Sequence, residues 1–169
     1  MDTLKAIYSR KSVRSYTGEP PTKSQLAEIL KAANASPVGR GLYENLHLTV
    51  VSDADLLAAI DANAASDACA HPLYGAPLLI IVSSSAEGNV PSANVGIVVH
   101  SMALAAVELG IGHCDIFGAI RELKNNAALV AQLQLPAGFS PLGALVLGVS
   151  TEDYEPREIP ARIEQNELL

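Results

Sequence analysis

The chain has 169 residues and a formal net charge of −7, and 49% of its residues are hydrophobic whereas 17% are charged. This hydrophobic content argues against intrinsic disorder. The acidic balance argues against a broad nucleic-acid or anionic-membrane surface, because such surfaces need clustered cations. The two cysteines, Cys69 and Cys114, suit a reducing compartment better than a disulfide framework. We therefore expect one domain over residues 1–169, with a C-terminal tail from about residue 151.

The predicted elements begin with a short amphipathic helix that ends near a basic cluster. Pro20 and Pro21 then interrupt the chain, and Thr22 with Gln25 three residues later resembles a capping box. Apolar residues follow at helical spacing, which predicts a helix to about Ala35. A turn over residues 36–39 separates this helix from the first strand.

Helices and strands alternate through the rest of the chain, without a linker or an internal repeat. The alternating run Leu46–Val51 predicts a strand, and Leu78–Val82 is apolar on both faces and predicts a buried central strand. Further predicted elements are a helix opened by Ser52 and running to about Ala62, a long helix from about Ser92 to Leu109, a strand at His113–Ile116, a helix near Ala119–Leu133 and a last strand at Leu142–Val149. This alternation predicts an α+β or three-layer arrangement.

The long predicted helix is apolar on nearly all sides. Val98 and Met102 belong to one apolar face, while Ile97, Leu104 and Val107 cover much of the remainder. A helix of this kind must be buried all round. It is therefore either the centre of a monomer or part of a two-fold subunit interface, and the sequence favours the interface.

The start of the chain predicts no targeting segment. Residues 1–5 are polar and lead directly into the first amphipathic helix, and no apolar run approaches the roughly 20 residues of a membrane span. We expect a cytoplasmic protein that contacts neither membrane nor nucleic acid.

A basic cluster close to the N-terminus is the strongest candidate binding feature. Arg10, Lys11 and Arg14 surround Ser12, whereas no Lys or Arg occurs between Arg40 and Arg121. Arginine offers bidentate contacts to phosphate, lysine a point charge and serine a short donor. The cluster therefore predicts an anion site, although the spacing also fits a solvated basic turn.

Other reactive side chains form weaker patterns. Cys69 with His71, and His113 with Asp115, are metal-ligand types, but neither pair has the spacing of a zinc site. The chain contains no Gly-x-Ser-x-Gly hydrolase motif and no dinucleotide-binding glycine fingerprint. We predict no metal, and Cys114 is interpreted as a small buried apolar residue.

Several segments, in order, resemble the FMN-dependent nitroreductase family. Residues 9–16 are similar to its Arg-x-Ser-x-Arg-x-aromatic opening, residues 33–37 to the end of its second helix, and residues 104–112 to its Leu-Ala-Ala-x-x-Leu-Gly-Leu-Gly segment. Residues 115–118 fall where the family has a turn over the flavin, and residues 145–148 resemble its last strand. The resemblance implies a three-layer α/β/α fold with a central mixed sheet and a buried long helix.

The resemblance also implies a homodimer with two shared FMN sites. Arg10, Ser12 and Arg14 match positions that hold the phosphate, ribityl chain and pyrimidine edge, and Lys11 occupies a variable position between them. The turn of Pro37, Val38 and Gly39 would reach the flavin of the partner subunit. The remaining implied flavin contacts are Asp115, Ile116, Phe117, Gly118 and Arg157, with Arg162 as the alternative to Arg157.

The function implied is an FMN-dependent NAD(P)H oxidoreductase that passes a hydride by a ping-pong reaction to a small organic acceptor. FMN would carry the chemistry, with no catalytic side chain. After Pro37 the chain lacks the Asn-x-Gln-Pro-Trp segment of many relatives and places Arg40 near the position of the Asn. This departure leaves two alternatives, a non-catalytic FMN-binding or sensing protein and a cofactor-free dimeric interaction module.

Overall fold

A computed structural model describes residues 2–168, so the two ends of the predicted domain, Met1 and Leu169, lie outside the described residues. Four strands form one sheet in the described part of the chain, in the order β1-β2-β4-β3. The strands are β1 (Leu46–Val51), β2 (Leu78–Ser84), β3 (Gly112–Ile116) and β4 (Ser140–Gly148). The helices are α1 (Thr3–Ser9), α2 (Lys23–Asn34), α3 (Ala54–Asn63), α4 (Asn89–Glu108), α5 (Gly118–Lys124) and α6 (Ala127–Gln132).

Helices cover both faces of this sheet and make three layers, as the sequence predicted. Strand β2 is buried along its whole length because it lies inside the sheet, with apolar side chains on both faces. One core cluster joins the sheet to α3, α5 and α6, and the other joins it to α2 and α4. The expectation of a mixed sheet was wrong, since within residues 2–168 every strand pairing is antiparallel.

Local sequence signals set most element boundaries. Thr22 and Gln25 form the predicted capping box at the start of α2. Helix α3 is capped by Asp53 rather than by Ser52, because the Asp53 carboxylate accepts a hydrogen bond from the Leu56 amide at 2.8 Å. The single helix predicted over residues 119–133 is divided into α5 and α6, since Asn126 caps the second helix.

Helix α4 begins at Asn89, three residues before the predicted start. Pro91 lies in its first turn, where its missing N–H removes no helical hydrogen bond. The helix has the length and hydropathy of a membrane span by composition, with a mean hydropathy of 1.6 over 18 residues, but 44% of that window is buried inside the fold. The protomer alone does not enclose α4 completely, because Val90 is 62% and Ile97 41% exposed, so the predicted subunit interface on this helix stays a prediction.

Residues 149–168 follow the last strand without a further helix or strand. The first part of this tail is attached to the fold, because Val149 exchanges backbone hydrogen bonds with Thr17 and Glu19. Its later part carries exposed apolar side chains, including Ile159, Ile163 and Leu168.

Candidate functional site

The basic segment lies along the outer edge of β3. It follows directly from α1, and the Val13 amide donates a hydrogen bond to the His113 carbonyl oxygen at 2.8 Å. Val13 itself is fully buried and fixes the segment against the sheet. A side chain at Gly112 would collide with this arrangement, since a β-carbon there would lie 3.1 Å from a Val13 methyl group. The fold therefore holds the cations of the segment beside the predicted flavin turn.

The tail brings a further cation to this segment. The Arg157 guanidinium donates a hydrogen bond to the Arg10 carbonyl oxygen at 2.8 Å, although 147 residues separate them in sequence. The geometry thus joins two of the residues that the resemblance assigned to phosphate binding. Arg162, the alternative, is exposed farther along the tail.

An acidic residue that the sequence analysis did not consider also contacts the basic segment. The Glu152 carboxylate lies 3.1 Å from the Lys11 ammonium group and accepts a long hydrogen bond, 3.4 Å, from the Arg14 amide. Contact with Lys11 lowers the pKa of Glu152. Lys11 is therefore ion-paired within the protomer. The sequence signal that could have indicated this contact is the position of Glu152 shortly after the last strand.

Residues of β3 point alternately to the two faces of the sheet. His113 and Asp115 pair across the strands with Leu147 and Leu145, which belong to the core beneath α4, whereas Cys114 pairs with Val146 in the opposite core. Cys114 is buried, as predicted. Burial raises its pKa, and Ser12 and Arg14 act in the opposite direction. Ser12 and Arg14 therefore lie on the Cys114 side of the strand.

The α4 side of β3 holds buried polar atoms without hydrogen-bond partners among the described residues. They are both ring nitrogens of His113 and Oδ1 of Asp115. The two side chains approach to 3.8 Å, and the His113 ring stacks at 6.0 Å on Tyr154. Burial lowers the pKa of His113 to about 3, with Arg10 and His100 acting in the same direction. Burial raises the pKa of Asp115, and Arg10 opposes that rise, so the Arg10 charge lies close to the predicted flavin turn.

The flavin turn continues from β3 into α5. Ile116 is buried in the core, so only its backbone remains available to a ligand, while Phe117 is 48% exposed. A β-carbon at Gly143 would lie 2.8 Å from both Val95 and the Phe117 ring, so this glycine gives the ring room beside α4. Residues 115–118 line a cavity of about 550 Å³.

The turn of Pro37, Val38 and Gly39 packs against the N-terminal half of α4. The Gly39 amide donates a hydrogen bond to Asn94 Oδ1 at 3.0 Å, and a β-carbon at Gly39 would lie 3.1 Å from Val90. Val38 is buried, while Pro37 is exposed. A positive φ occurs in this turn at Arg40, with a value of 60°, and not at Gly39. A side chain at Gly39 would instead crowd α4.

These residues suit a flavin phosphate. Two arginines and a serine hydroxyl lie in one segment along a strand edge of an acidic chain, and Arg157 contacts the backbone of that segment. These residue types are donors that a phosphate monoester requires. In the neighbouring turn, Asp115 Oδ1 accepts no hydrogen bond from the described residues. The donor set therefore fits an anionic cofactor with a polar heterocycle.

Comparison with known proteins agrees with this geometry. A sequence model of the Nitroreductase family matches residues 7–72, which contain the basic segment and the Pro37 turn. The protomer superposes with a TM-score of 0.86 on a nitroreductase with bound FMN from Desulfitobacterium hafniense, at 23% identity, covering 99% of this chain and 100% of that one. The chain has the nitroreductase fold. The resemblance stated from the sequence is thereby confirmed.

Two other solved structures extend the comparison. A nitroreductase with bound FMN from Bacteroides fragilis is 26% identical, with a TM-score of 0.80 and coverage of 99% of this chain and 100% of that chain. An NADPH:FMN oxidoreductase from Vibrio harveyi, in complex with NAD+, is 20% identical, with a TM-score of 0.77 and coverage of 99% and 78%. A search of curated protein sequences found no match.

Proposed function

We propose that this protein is an FMN-dependent NAD(P)H oxidoreductase. The observation that carries the proposal is the basic segment along β3, where the Arg10 charge lies close to Asp115 and Arg157 donates a hydrogen bond to the Arg10 carbonyl oxygen. The solved structures from Desulfitobacterium hafniense and Bacteroides fragilis that share this fold contain FMN. A structure with the same fold, from Vibrio harveyi, is an NADPH:FMN oxidoreductase.

Each part of the site has a separate task in this proposal. Arg10, Ser12 and Arg157 hold the phosphate and the ribityl chain, and Arg14 approaches the pyrimidine edge. Bound FMN would accept a hydride from NADH or NADPH and pass it to a small organic acceptor. A cation at the pyrimidine edge stabilises the negative charge of the reduced ring. The protein thus supplies position and charge, and the reaction requires no catalytic acid or base.

The proposal includes a homodimer in which each flavin site is completed by the partner. The turn of residues 37–39 packs on α4 of its own protomer, and α4 presents the exposed Val90 and Ile97 on the same layer of the fold. Exposed apolar side chains on α1 add to that surface. A second copy placed against α1 and α4 would cover these residues and bring its own Pro37 turn to the site. We also propose a cytoplasmic location.

The colour and reactivity of the purified protein test the function. After reconstitution with FMN and removal of free flavin, the enzyme should stay yellow and be bleached anaerobically by NADH or NADPH. Double-reciprocal plots at several acceptor concentrations should be parallel, as ping-pong transfer requires. Yellow protein that nicotinamides do not bleach would support the binding or sensing alternative. Protein that cannot retain FMN would support the interaction module and overturn the proposal.

A screen of acceptors with the reconstituted enzyme would define its substrates. Quinones, nitroaromatics and free flavins differ in size and reduction potential, so their kcat/KM values would separate acceptor shape from driving force.

A further inference from the structure

The Tyr74 ring lies beside a cation of the basic segment. The Arg14 guanidinium carbon lies 5.6 Å from the centre of the Tyr74 ring, within the range of a cation–π interaction. Contact with the Tyr74 side chain is also the main cause that raises the pKa of Arg14. Arg14 is otherwise exposed, whereas Tyr74 is half-buried and packs on the core shared by α3, α5 and α6.

The backbone of Tyr74 is held in an unfavourable conformation. Its φ is 56°, in the left-handed region that bulky side chains rarely occupy. Gly75 follows with a φ of 68°, and the Ala76 amide donates to the Leu73 carbonyl oxygen at 3.1 Å. Positive φ at both central residues is typical of a type I′ turn, which favours Asn at the position of Tyr74. Tyrosine is therefore retained here against the preference of the turn.

Positive φ at residues other than glycine coincides with the candidate site. Within residues 2–168 this conformation occurs at Arg40, Tyr74 and Gln134. Arg40 belongs to the turn predicted to reach the flavin, and Tyr74 contacts Arg14. Gln134 lies after α6, where left-handed residues commonly end a helix. Unfavourable backbone conformations tend to persist where function requires them.

The position of Tyr74 connects two parts of the proposed site. Its side chain lines the cavity of about 550 Å³ formed with residues 115–118, and it also borders a groove of about 1,250 Å³ that includes Arg14. Tyr74 thus lines one cavity with the predicted flavin turn and contacts the cation assigned to the pyrimidine edge. No other aromatic ring in the described residues stacks with a cation of the basic segment.

We propose that Tyr74 is a positioning residue that holds the Arg14 guanidinium toward the bound flavin. The inference rests on the proposed function. The ring fixes one face of the planar guanidinium, which leaves its N–H groups directed outward, and it limits the rotamers that Arg14 can adopt. Tyr74 thus acts on the flavin through Arg14, and its effect should appear in FMN affinity and reduction potential.

A matched pair of variants separates positioning from packing. Tyr74→Phe keeps the aromatic face, while Tyr74→Leu fills the same apolar space without it, and both retain a bulky side chain in the strained turn. We expect Tyr74→Leu to raise the FMN dissociation constant about 2- to 5-fold, the range of an exposed cation–π contact. It should also lower the flavin midpoint potential, whereas Tyr74→Phe keeps the ring, loses only the hydroxyl that interacts with Arg14, and should lie between the wild type and Tyr74→Leu in both. Equal values for the two variants would overturn the proposal.

A double-mutant cycle identifies Arg14 as the intermediary. In an Arg14→Ala background, Tyr74→Leu should have no further effect on FMN affinity or potential, because the group that it positions is gone. Additive effects of the two changes would contradict positioning through Arg14. Wild-type protein that fails to bind FMN would instead refute the proposed function, so the two failures are distinguishable.

Tyr74→Asn tests the proposal independently, because it separates thermal stability from FMN affinity. Asn suits the left-handed turn, so this variant should keep the thermal midpoint closer to the wild type than Tyr74→Leu does, and it should still lose FMN affinity. Gln134→Asn is the matched control. It places Asn at another position with a positive φ, away from the site, and should leave FMN binding unchanged. A Tyr74→Asn variant that retains full affinity and potential would count against the proposal.

Discussion

The two helical layers that cover the sheet differ in how completely the protomer buries them. Among the described residues, α3, α5 and α6 expose no large hydrophobic side chain, whereas α1 and α4 expose five: Leu4, Ile7, Tyr8, Val90 and Ile97. Both layers contribute a buried core of similar character to the sheet. The α3–α5–α6 layer is therefore finished within one chain, and the α1–α4 layer is the surface on which a second copy is expected.

Helix α4 makes this contrast within a single element. Its inner residues Met102 and Val99 are fully buried under the sheet, and Ile97 lies on the outer side. The sequence analysis left open whether the apolar face with Val98 and Met102 lies in a core or at an interface, and the protomer's own core buries both residues. Tests of folding and of assembly thus need different positions on the same helix.

The largest expected effect follows from a charge in the inner face of α4. Met102→Asp should cost about 3–5 kcal/mol of unfolding free energy, because it buries an unpaired carboxylate in an apolar core. Urea denaturation followed by circular dichroism measures the loss. Met102→Leu conserves volume and should cost less than about 1.5 kcal/mol. A fully folded, stable Met102→Asp protein that merely dissociates would move Met102 back to the interface.

A charge on the outer face should break assembly and leave the protomer folded. Ile97→Asp should weaken dimerisation by about 2–5 kcal/mol if a second copy covers this side chain. Light scattering measures mass, and circular dichroism confirms the fold. Ala58→Asp, on the exposed side of α3, is the control that should change neither.

The same variant connects assembly to the cofactor. A monomeric Ile97→Asp protein should lose most of its FMN, because the Pro37 turn of the partner is no longer present. A wild-type protein that is monomeric at micromolar concentration, or a monomeric variant with unchanged FMN affinity, would contradict a site shared between chains.

The basic segment follows α1 in the layer that exposes apolar side chains. Its arginines should therefore affect FMN binding more than folding. Arg10→Ala and Arg14→Ala should each cost about 1.5–3 kcal/mol of FMN binding, or roughly 10- to 150-fold in dissociation constant. FMN titration by fluorescence measures the change. Lys11→Ala should have a smaller effect, since Glu152 already pairs with that cation.

Lys31→Ala removes an exposed cation on α2 and provides the matched charge control. Unchanged dissociation constants for both Arg10→Ala and Arg14→Ala would remove the basis for placing the phosphate at this segment.

The elements that sequence predicted well are those whose signals are local. The capping box of Thr22 and Gln25 and the apolar run of β2 each depend on neighbouring residues, and both are present in the fold. The basic segment was also recognised, because its cations are adjacent in sequence. That Arg157 joins the basic segment was implied only by the family resemblance, and its hydrogen bond to the Arg10 carbonyl oxygen was not predicted.

Other features lay outside what one sequence reveals. A helix that is apolar on all sides has no periodicity to show which face the protomer leaves exposed, so the sequence left open whether α4 lies in a core or at an interface. The Arg14–Tyr74 contact joins residues 60 positions apart in sequence. Gly75 after Tyr74 indicates a turn but not its contact with Arg14. The left-handed conformation of Arg40 could not be predicted, because the sequence does not show which residue of a turn takes a positive φ.

A pH test probes the polar residues beneath the α4 layer. The folded pKa of His113 is lowered to about 3, whereas the unfolded value is about 6.5. Its contribution to stability is therefore complete above pH 6.5 and is lost as pH falls toward 3. At pH 5 this loss is about 2 kcal/mol, since protons favour the unfolded chain. His113→Phe should reduce the fall in unfolding free energy between pH 7.5 and pH 5.

Asp115 acts in the opposite direction, because its raised pKa favours protonation in the folded state. The difference between the wild type and His113→Phe, with Asp115 present in both, isolates the histidine. Exposed His71→Phe serves as the control histidine substitution. Identical pH slopes in the wild type and His113→Phe would contradict a buried neutral imidazole.

The smallest expected effect concerns Arg40, beside the N-terminal end of α4. Arg40 has a φ of 60° and an exposed side chain. It lines a small cavity together with Glu87 and Asn94. NADPH differs from NADH by a 2′-phosphate, which an exposed arginine can recognise. Arg40→Ala should therefore raise KM for NADPH about 2- to 5-fold more than KM for NADH, corresponding to an exposed ionic contact.

Two further variants determine whether charge or backbone strain causes any difference. Arg40→Lys keeps the cation and should restore most of the preference, while Arg40→Gly relieves the left-handed strain and should behave like Arg40→Ala toward the nucleotides. Stopped-flow reduction of the flavin at varied NADPH and NADH separates nucleotide binding from the later oxidation by the acceptor. Equal effects on both nucleotides would make Arg40 a surface residue whose backbone, rather than its charge, shapes the turn.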